Sequence, residues 1–218
     1  MIEGILPSSV RWVQSFTDRA DIELFPEEQA VVANAVEKRQ TEFATVRACA
    51  RDALAALGHP PVPLVPGERG APSWPAGVVG SMTHCAGYRA AVVARSSDVA
   101  TLGIDAEPNH ALPEGVLPAI GRPEDLTALA ALPKSAGIAW DRILFSAKES
   151  VYKAWFPVAR QWLDFEDATV TIDADGTFTA RILIPGPMLS GRPLTALSGR
   201  WAADDNLVMT AVVVGQDA

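Results

Sequence analysis

A helical segment followed by three or four short apolar runs occurs twice along this 218-residue chain, and that repeated order predicts an α+β fold of two pseudo-symmetric lobes. Each lobe is expected to pack an antiparallel sheet of about three strands on one long helix. Residues 1–107 make the first predicted lobe and 108–218 the second, with a cleft between them where a ligand can sit. Apolar residues make up 49% of the chain, enough for a full core, and 16 glycines with 17 prolines stay well short of a disordered composition.

The first element is read from Pro26 to Leu57, a stretch with no interior Gly or Pro that opens Pro26-Glu27-Glu28 and stops at Gly58 before Pro60 and Pro61. It predicts one long helix, straight or bent. Val32, Val36, Phe43, Val46, Ala50 and Leu54 recur at helical spacing as its core face, while Arg39, Arg47 and Arg51 fall within an arc of roughly 120°. Three apolar runs follow, Val78 to Thr83, Tyr88 to Ala94 and Val99 to Glu107, and predict an antiparallel meander. The second half opens with a loop from Pro108 to Pro123 and short helical stretches up to Leu144. A helix is then expected to start near Ser146. Strands come next at Ala168 to Ile172, Phe178 to Ile184, Leu194 to Ala202 and Leu207 to Val214, the first two joined by a turn at Asp173-Ala174-Asp175-Gly176.

Charge narrows the function. A net charge of −8 and a pI near 4.9 repel nucleic acid, so any anionic ligand must be held by a local basic cluster. Of the 18 basic residues 14 are Arg, yet two of the four Lys, Lys148 and Lys153, stand in one segment. Cys49 and Cys85 are too few for a disulfide framework or a four-cysteine zinc site, which points to a reducing cytoplasm. No run approaches the ~18 apolar residues of a membrane span.

Three segments can carry chemistry. In Gly103-Ile104-Asp105-Ala106-Glu107-Pro108, two carboxylates two apart at a strand end share one face and suit a hard cation such as Mg²⁺. A strand that ends in acidic residues at a turn is more often just solvated. In Phe145-Ser146-Ala147-Lys148-Glu149-Ser150-Val151-Tyr152-Lys153, Ser146 and Glu149 have capping-box spacing and Glu149 with Lys153 an i,i+4 pairing. Helix electrostatics accounts for those pairs, but two lysines at a helix start also suit a phosphate. Gly80 to Tyr88 offers Ser81, Thr83 and His84 beside glycines that let a ligand approach the backbone. Reading Ser81, His84 and Asp105 as a hydrolytic triad fails for want of Gly-x-Ser-x-Gly, and His59, His84 and His110 lack zinc-ligand spacing.

In this order the segments resemble the 4'-phosphopantetheinyl transferases. Gly103-Ile104-Asp105-Ala106-Glu107 and Phe145 to Lys153 are similar to the family's two signature motifs, and Gly80 to Tyr88 to its upstream serine/threonine-histidine element. Length and two lobes match the larger surfactin-type class, and the wording of the motifs is most like its actinobacterial branch.

That resemblance implies transfer of the phosphopantetheine arm of coenzyme A to a serine hydroxyl of an apo acyl or peptidyl carrier protein, releasing 3',5'-ADP. It implies that Asp105, Glu107 and Glu149 hold Mg²⁺, or Mn²⁺ in its place, that Lys153 and Lys148 meet the pyrophosphate, and that Glu149 serves as general base. Arg39 and Arg47 match positions for the 3'-phosphate, Thr83 and His84 match phosphate-binding positions, and Arg69 is the candidate in the stretch from Pro66, where relatives often begin with a basic residue. The implied enzyme is a cytoplasmic monomer with no nucleic-acid or membrane partner. A Mg²⁺-dependent nucleotide pyrophosphate hydrolase and a catalytically silent coenzyme A-binding module are the alternatives.

Overall fold

Chain order in the computed structural model, which describes residues 1–134, 137–189 and 191–216, begins with a strand that patterning does not announce, β1 (Arg11–Ser15). Two helices follow where one was expected, α1 (Pro26–Val32) and α2 (Glu37–Ala55). Neither Gly nor Pro makes the break. Val36 is held extended as the residue before α2, and Gln40 Nε2 donates to the Ala35 carbonyl at 2.8 Å. The break lets α1 fold back so that Glu28, fully buried, accepts from Arg51 Nη1 at 3.0 and 2.9 Å and from the Leu64 amide at 2.9 Å. Arg51 is thereby removed from the expected basic flank, and Val36 is exposed instead of core. The other five residues of the expected core face, Val32, Phe43, Val46, Ala50 and Leu54, are buried.

Next come β2 (Val78–Cys85), β3 (Tyr88–Arg95) and β4 (Val99–Pro108), then α3 (Val116–Ile120), α4 (Pro123–Ala130) and α5 (Trp140–Ala159). Strands β5 (Ala168–Asp173), β6 (Thr177–Ile182), β7 (Met188–Leu189), β8 (Arg192–Pro193), β9 (Ala196–Ala203) and β10 (Leu207–Gly215) complete the chain. The fold is α+β with antiparallel sheets, but the sheets are unequal. One has the order β1-β3-β2 and the other β4-β10-β9-β6-β5, with β7 and β8 pairing apart.

The expected meander is therefore only a β2–β3 hairpin. Strand β4 pairs with β10, Asp105 opposite Thr210 and Gly103 opposite Val212. It still packs against β2, through side chains: Ser81 Oγ accepts from the Ile104 amide and Thr83 Oγ1 from the Ala106 amide, both at 3.1 Å. The constant offset of these contacts means that β2 and β4 run parallel along this seam. A strand drawn within the first lobe thus belongs to the sheet of the second.

On its other side β4 lies on α5, and Gly103 is what permits it. A Cβ built there would stand 2.1 Å from the Ser150 carbonyl oxygen and 2.6 Å from the Ala154 amide nitrogen. Helix α5 starts six residues before the expected position at Ser146. Asn109 Oδ1 accepts from the Ala139 amide at 3.0 Å, Asp141 occupies the first turn, and Ser146 is interior, 3.0 Å from the Thr210 hydroxyl. The segment around Lys148 consequently has no free helix-start amides to attract an anion.

Candidate active site

Between the sheets lies a cavity of ≈ 730 Å³ lined by Arg39, Arg47, Arg69, Thr83, His84, Asp105, Glu149 and Lys153. Residues from α2, β2, β4 and α5 are brought together there. Two expected members do not line it, Glu107 and Lys148.

An ion pair in this group joins β4 to α5. Lys153 Nζ donates to Asp105 Oδ1 at 2.7 Å and to the Ile104 carbonyl at 3.1 Å. Asp105 is buried, and its Oδ1 also accepts from the Thr83 hydroxyl at 3.2 Å. Its Oδ2 is buried with no hydrogen-bond partner. One turn before Lys153, Glu149 faces the same cavity, and its carboxylate has no hydrogen bond or ion pair among the described residues. Burial pushes the Glu149 pKa up; the Lys153 ammonium pulls it down, and the charge of Asp105 adds to the rise.

Glu107 is raised in the same way, by burial first and then by Asp105, against the pull of Arg142. Its Oε2 accepts from Arg142 Nη1 at 3.2 Å, so that guanidinium competes for it. Among the described residues no group of three or more His, Cys, Asp or Glu side chains is gathered as a ready-made metal cage.

Lys148 is a correction. Its side chain is 3% exposed, and its ammonium pairs with Asp125 Oδ2 at 2.7 Å and donates to the carbonyls of Phe165 and Ala168 at 2.7 and 2.9 Å. Every donor is used to tie α5 to α4 and β5, leaving none for a pyrophosphate. Thr83 is a partial correction. Its chain lines the cavity, but its hydroxyl is spent between Asp105 and the Ala106 amide. The glycines of this stretch also differ from expectation: a Cβ at Gly80 would meet the Trp74 ring at 2.6 Å, and Gly87 takes the positive φ of the hairpin turn.

The basic side of the cavity is built by packing. Arg47 stacks over Phe43 at 3.6 Å and donates through Nε to the Leu64 carbonyl at 3.1 Å, and burial lowers its pKa to about 10. Arg39 Nη1 contacts His84 Nε2. A guanidinium can only donate, so that nitrogen accepts and the imidazole is neutral, consistent with burial and then Arg39 lowering its pKa. Arg69 lies 5.5 Å over the Trp162 ring. Arg160 also lines the cavity, a residue that motif reading missed. It sits in left-handed conformation at the end of α5, beyond both signature motifs, and only the helix-stop geometry could have singled it out.

An α+β protein with a lysine, three carboxylates and a set of arginines around one cleft has the groups to hold a phosphorylated ligand. Comparison with known proteins gives the particular family. Residues 27–94 match the 4'-phosphopantetheinyl transferase N-terminal domain, and residues 101–209 match the 4'-phosphopantetheinyl transferase superfamily. The chain is 56% identical to the 4'-phosphopantetheinyl transferase Svp of Streptomyces mobaraensis, over 100% of this chain and 91% of that protein. Identity to the 4'-phosphopantetheinyl transferase PptT of Mycobacterium tuberculosis is 48%, over 98% of each. For the Nocardia iowensis enzyme Npt it is 44%, over 97% of this chain and 99% of the relative. The chain belongs to the 4'-phosphopantetheinyl transferase superfamily. No helix among the described residues is long and apolar enough to cross a membrane.

Proposed function

We propose that this chain transfers the 4'-phosphopantetheine arm of coenzyme A to a serine hydroxyl of an apo acyl or peptidyl carrier protein, releasing 3',5'-ADP. The observation that carries the reading is the joint lining of one cavity by Lys153, Asp105 and Glu149 with Arg39 and Arg47, a match for a ligand that bears both a pyrophosphate and a separate phosphate. Its volume falls within the ~300–1,000 Å³ of small-molecule sites.

The acidic set fits Mg²⁺, or Mn²⁺ in its place, because Asp105 Oδ2 is a buried oxygen without a partner and the Glu149 carboxylate also lacks one. Mg²⁺ needs only one or two protein carboxylates, its other positions going to water and substrate phosphate. Asp105 and Glu149 would hold it with Glu107, the latter shared with Arg142. When bound, the ion would offset charge on the pyrophosphate oxygens.

Glu149 accepts the serine proton, directly or through a water, as the serine oxygen bonds to the β-phosphorus. The bond from that phosphorus to the oxygen shared with the α-phosphate breaks, and its electron pair leaves on 3',5'-ADP. Lys153, tethered to Asp105 and the Ile104 carbonyl, opposes the negative charge that grows on the phosphoryl and leaving oxygens. Arg39 and Arg47 receive the 3'-phosphate, His84 backs Arg39, and Arg69 closes on the nucleotide. The enzyme works as a single chain in the cytoplasm.

Intact-mass measurement tests this. Apo carrier protein with coenzyme A and Mg²⁺ gains the mass of phosphopantetheine, and coenzyme A with enzyme alone yields no 3',5'-ADP. Release of 3',5'-ADP without a carrier overturns the reading in favour of a hydrolase.

A further inference from the structure

Thr83 sits at the one point where the seam between β2 and β4 touches the acidic set. Ser81 and Thr83, two apart on one face of β2, each accept an amide of β4 through the hydroxyl. Only Thr83 does more: its hydroxyl proton goes to Asp105 Oδ1 at 3.2 Å. With Lys153 on the same oxygen at 2.7 Å, Oδ1 is occupied from two directions, one on each lobe, and the carboxylate is pinned with Oδ2 as its unpartnered atom. A carboxylate with one restrained oxygen cannot rotate to exchange the two, so the free one keeps a fixed direction.

We propose that Thr83 is a positioning residue for Asp105, which aims Oδ2 at the divalent cation, and that its hydroxyl does not bind substrate phosphate. The Thr83 hydroxyl has one proton and gives it to Asp105, while its oxygen is taken by the Ala106 amide. A phosphate contact would have to break one of these bonds in a site where the residue is 5% exposed. Partners that orient a ligating group are typically worth 10–100-fold in metal affinity. This inference rests on the proposal that Asp105 is a metal ligand.

The test compares wild type with Thr83→Val, Thr83→Ser and Ser81→Ala. Mn²⁺ binding is titrated by electron paramagnetic resonance with coenzyme A present and no carrier protein, and 3',5'-ADP binding is titrated calorimetrically in chelator. Thr83→Val is expected to weaken Mn²⁺ binding about 10-fold or more and to leave 3',5'-ADP affinity as in wild type. Thr83→Ser, which keeps both hydroxyl bonds, is expected to restore Mn²⁺ binding. Ser81→Ala loses a seam bond that touches no carboxylate, so it is expected to lower the melting temperature with Mn²⁺ affinity intact. Unchanged Mn²⁺ affinity in Thr83→Val overturns the inference. So does a loss of 3',5'-ADP affinity in that variant, which would restore a phosphate role, and so does an equal Mn²⁺ loss in Ser81→Ala, which would make the effect one of the seam in general. If wild type itself binds no Mn²⁺, the metal proposal fails, and this inference with it.

Discussion

Lys148 and Lys153 share a motif and a side chain but not a role, and the reason is angular. At 100° per residue, five positions carry a side chain about 140° round the helix, whereas the four between Glu149 and Lys153 return it to nearly the same face. Glu149 and Lys153 therefore look into the cavity, and Lys148 is driven into the buried pocket of Asp125. That much was legible in the spacing; the identity of the buried partner was not, since Asp125 comes from another helix. Lys148→Met strands a fully buried carboxylate and is expected to cost about 3–5 kcal/mol in denaturant unfolding, while coenzyme A affinity of the folded protein holds. Lys153→Ala and Asp105→Ala are expected to remain folded by circular dichroism and to lose transfer. Glu149 carries two further expectations. As base it must be deprotonated, so kcat/KM of wild type should fall on acidification and Glu149→Gln should be slow without that limb. Stability has its own sign: a carboxyl raised in the folded state favours folding below its unfolded pKa and loses that contribution as pH rises through the folded one. Metal-free Glu149→Gln should therefore melt above wild type at pH 7.5, with the gain vanishing toward the ordinary carboxylate value.

At the scale of elements, the hairpins and turns were readable because their signals are local. The Asp173 to Gly176 turn joins β5 to β6, and Gly176 has the positive φ such a turn requires. What failed depended on partners remote in sequence. A run such as Val99 to Glu107, buried on nearly all its length, looks the same whether it pairs with β3 or with β10. The 33–36 break carries no Gly or Pro; it exists because burying Glu28 against Arg51 and the Leu64 amide fixes where α1 must lie. The capping-box spacing of Ser146 and Glu149 imitated a helix start, while the hydroxyl of Ser146 was committed to Thr210 on a strand. Gly103 is the case where a motif glycine has a packing reason, because an added Cβ would strike backbone atoms of α5. Gly103→Ala is expected to destabilise by roughly 3 kcal/mol or more, since neither the helix nor the strand can yield at the far end of a flexible side chain. Urea unfolding measures it, and a loss below about 1 kcal/mol would show that β4 can slide on α5.

Across the whole molecule, the net charge of −8 sets how the protein would meet an acidic partner. With coenzyme A saturating, raising ionic strength from about 0.01 to 0.15 M shortens the Debye length from ~30 to ~8 Å and relaxes that repulsion. kcat/KM for an acidic carrier protein is expected to rise over this range in stopped-flow measurements, and a steep fall would indicate that basic patches govern the encounter. The cleft itself was legible as a consequence of two α+β halves, but the inequality of the sheets was not. Strand β4 is stitched to β2 on one flank, laddered to β10 on another and pressed on α5. A clamshell swing of one half against the other would tear Asp105 from Thr83. The peptide at 66–73 lines the cavity without belonging to either sheet, and turnover is expected to be more sensitive to stiffening that segment than to cross-linking the halves.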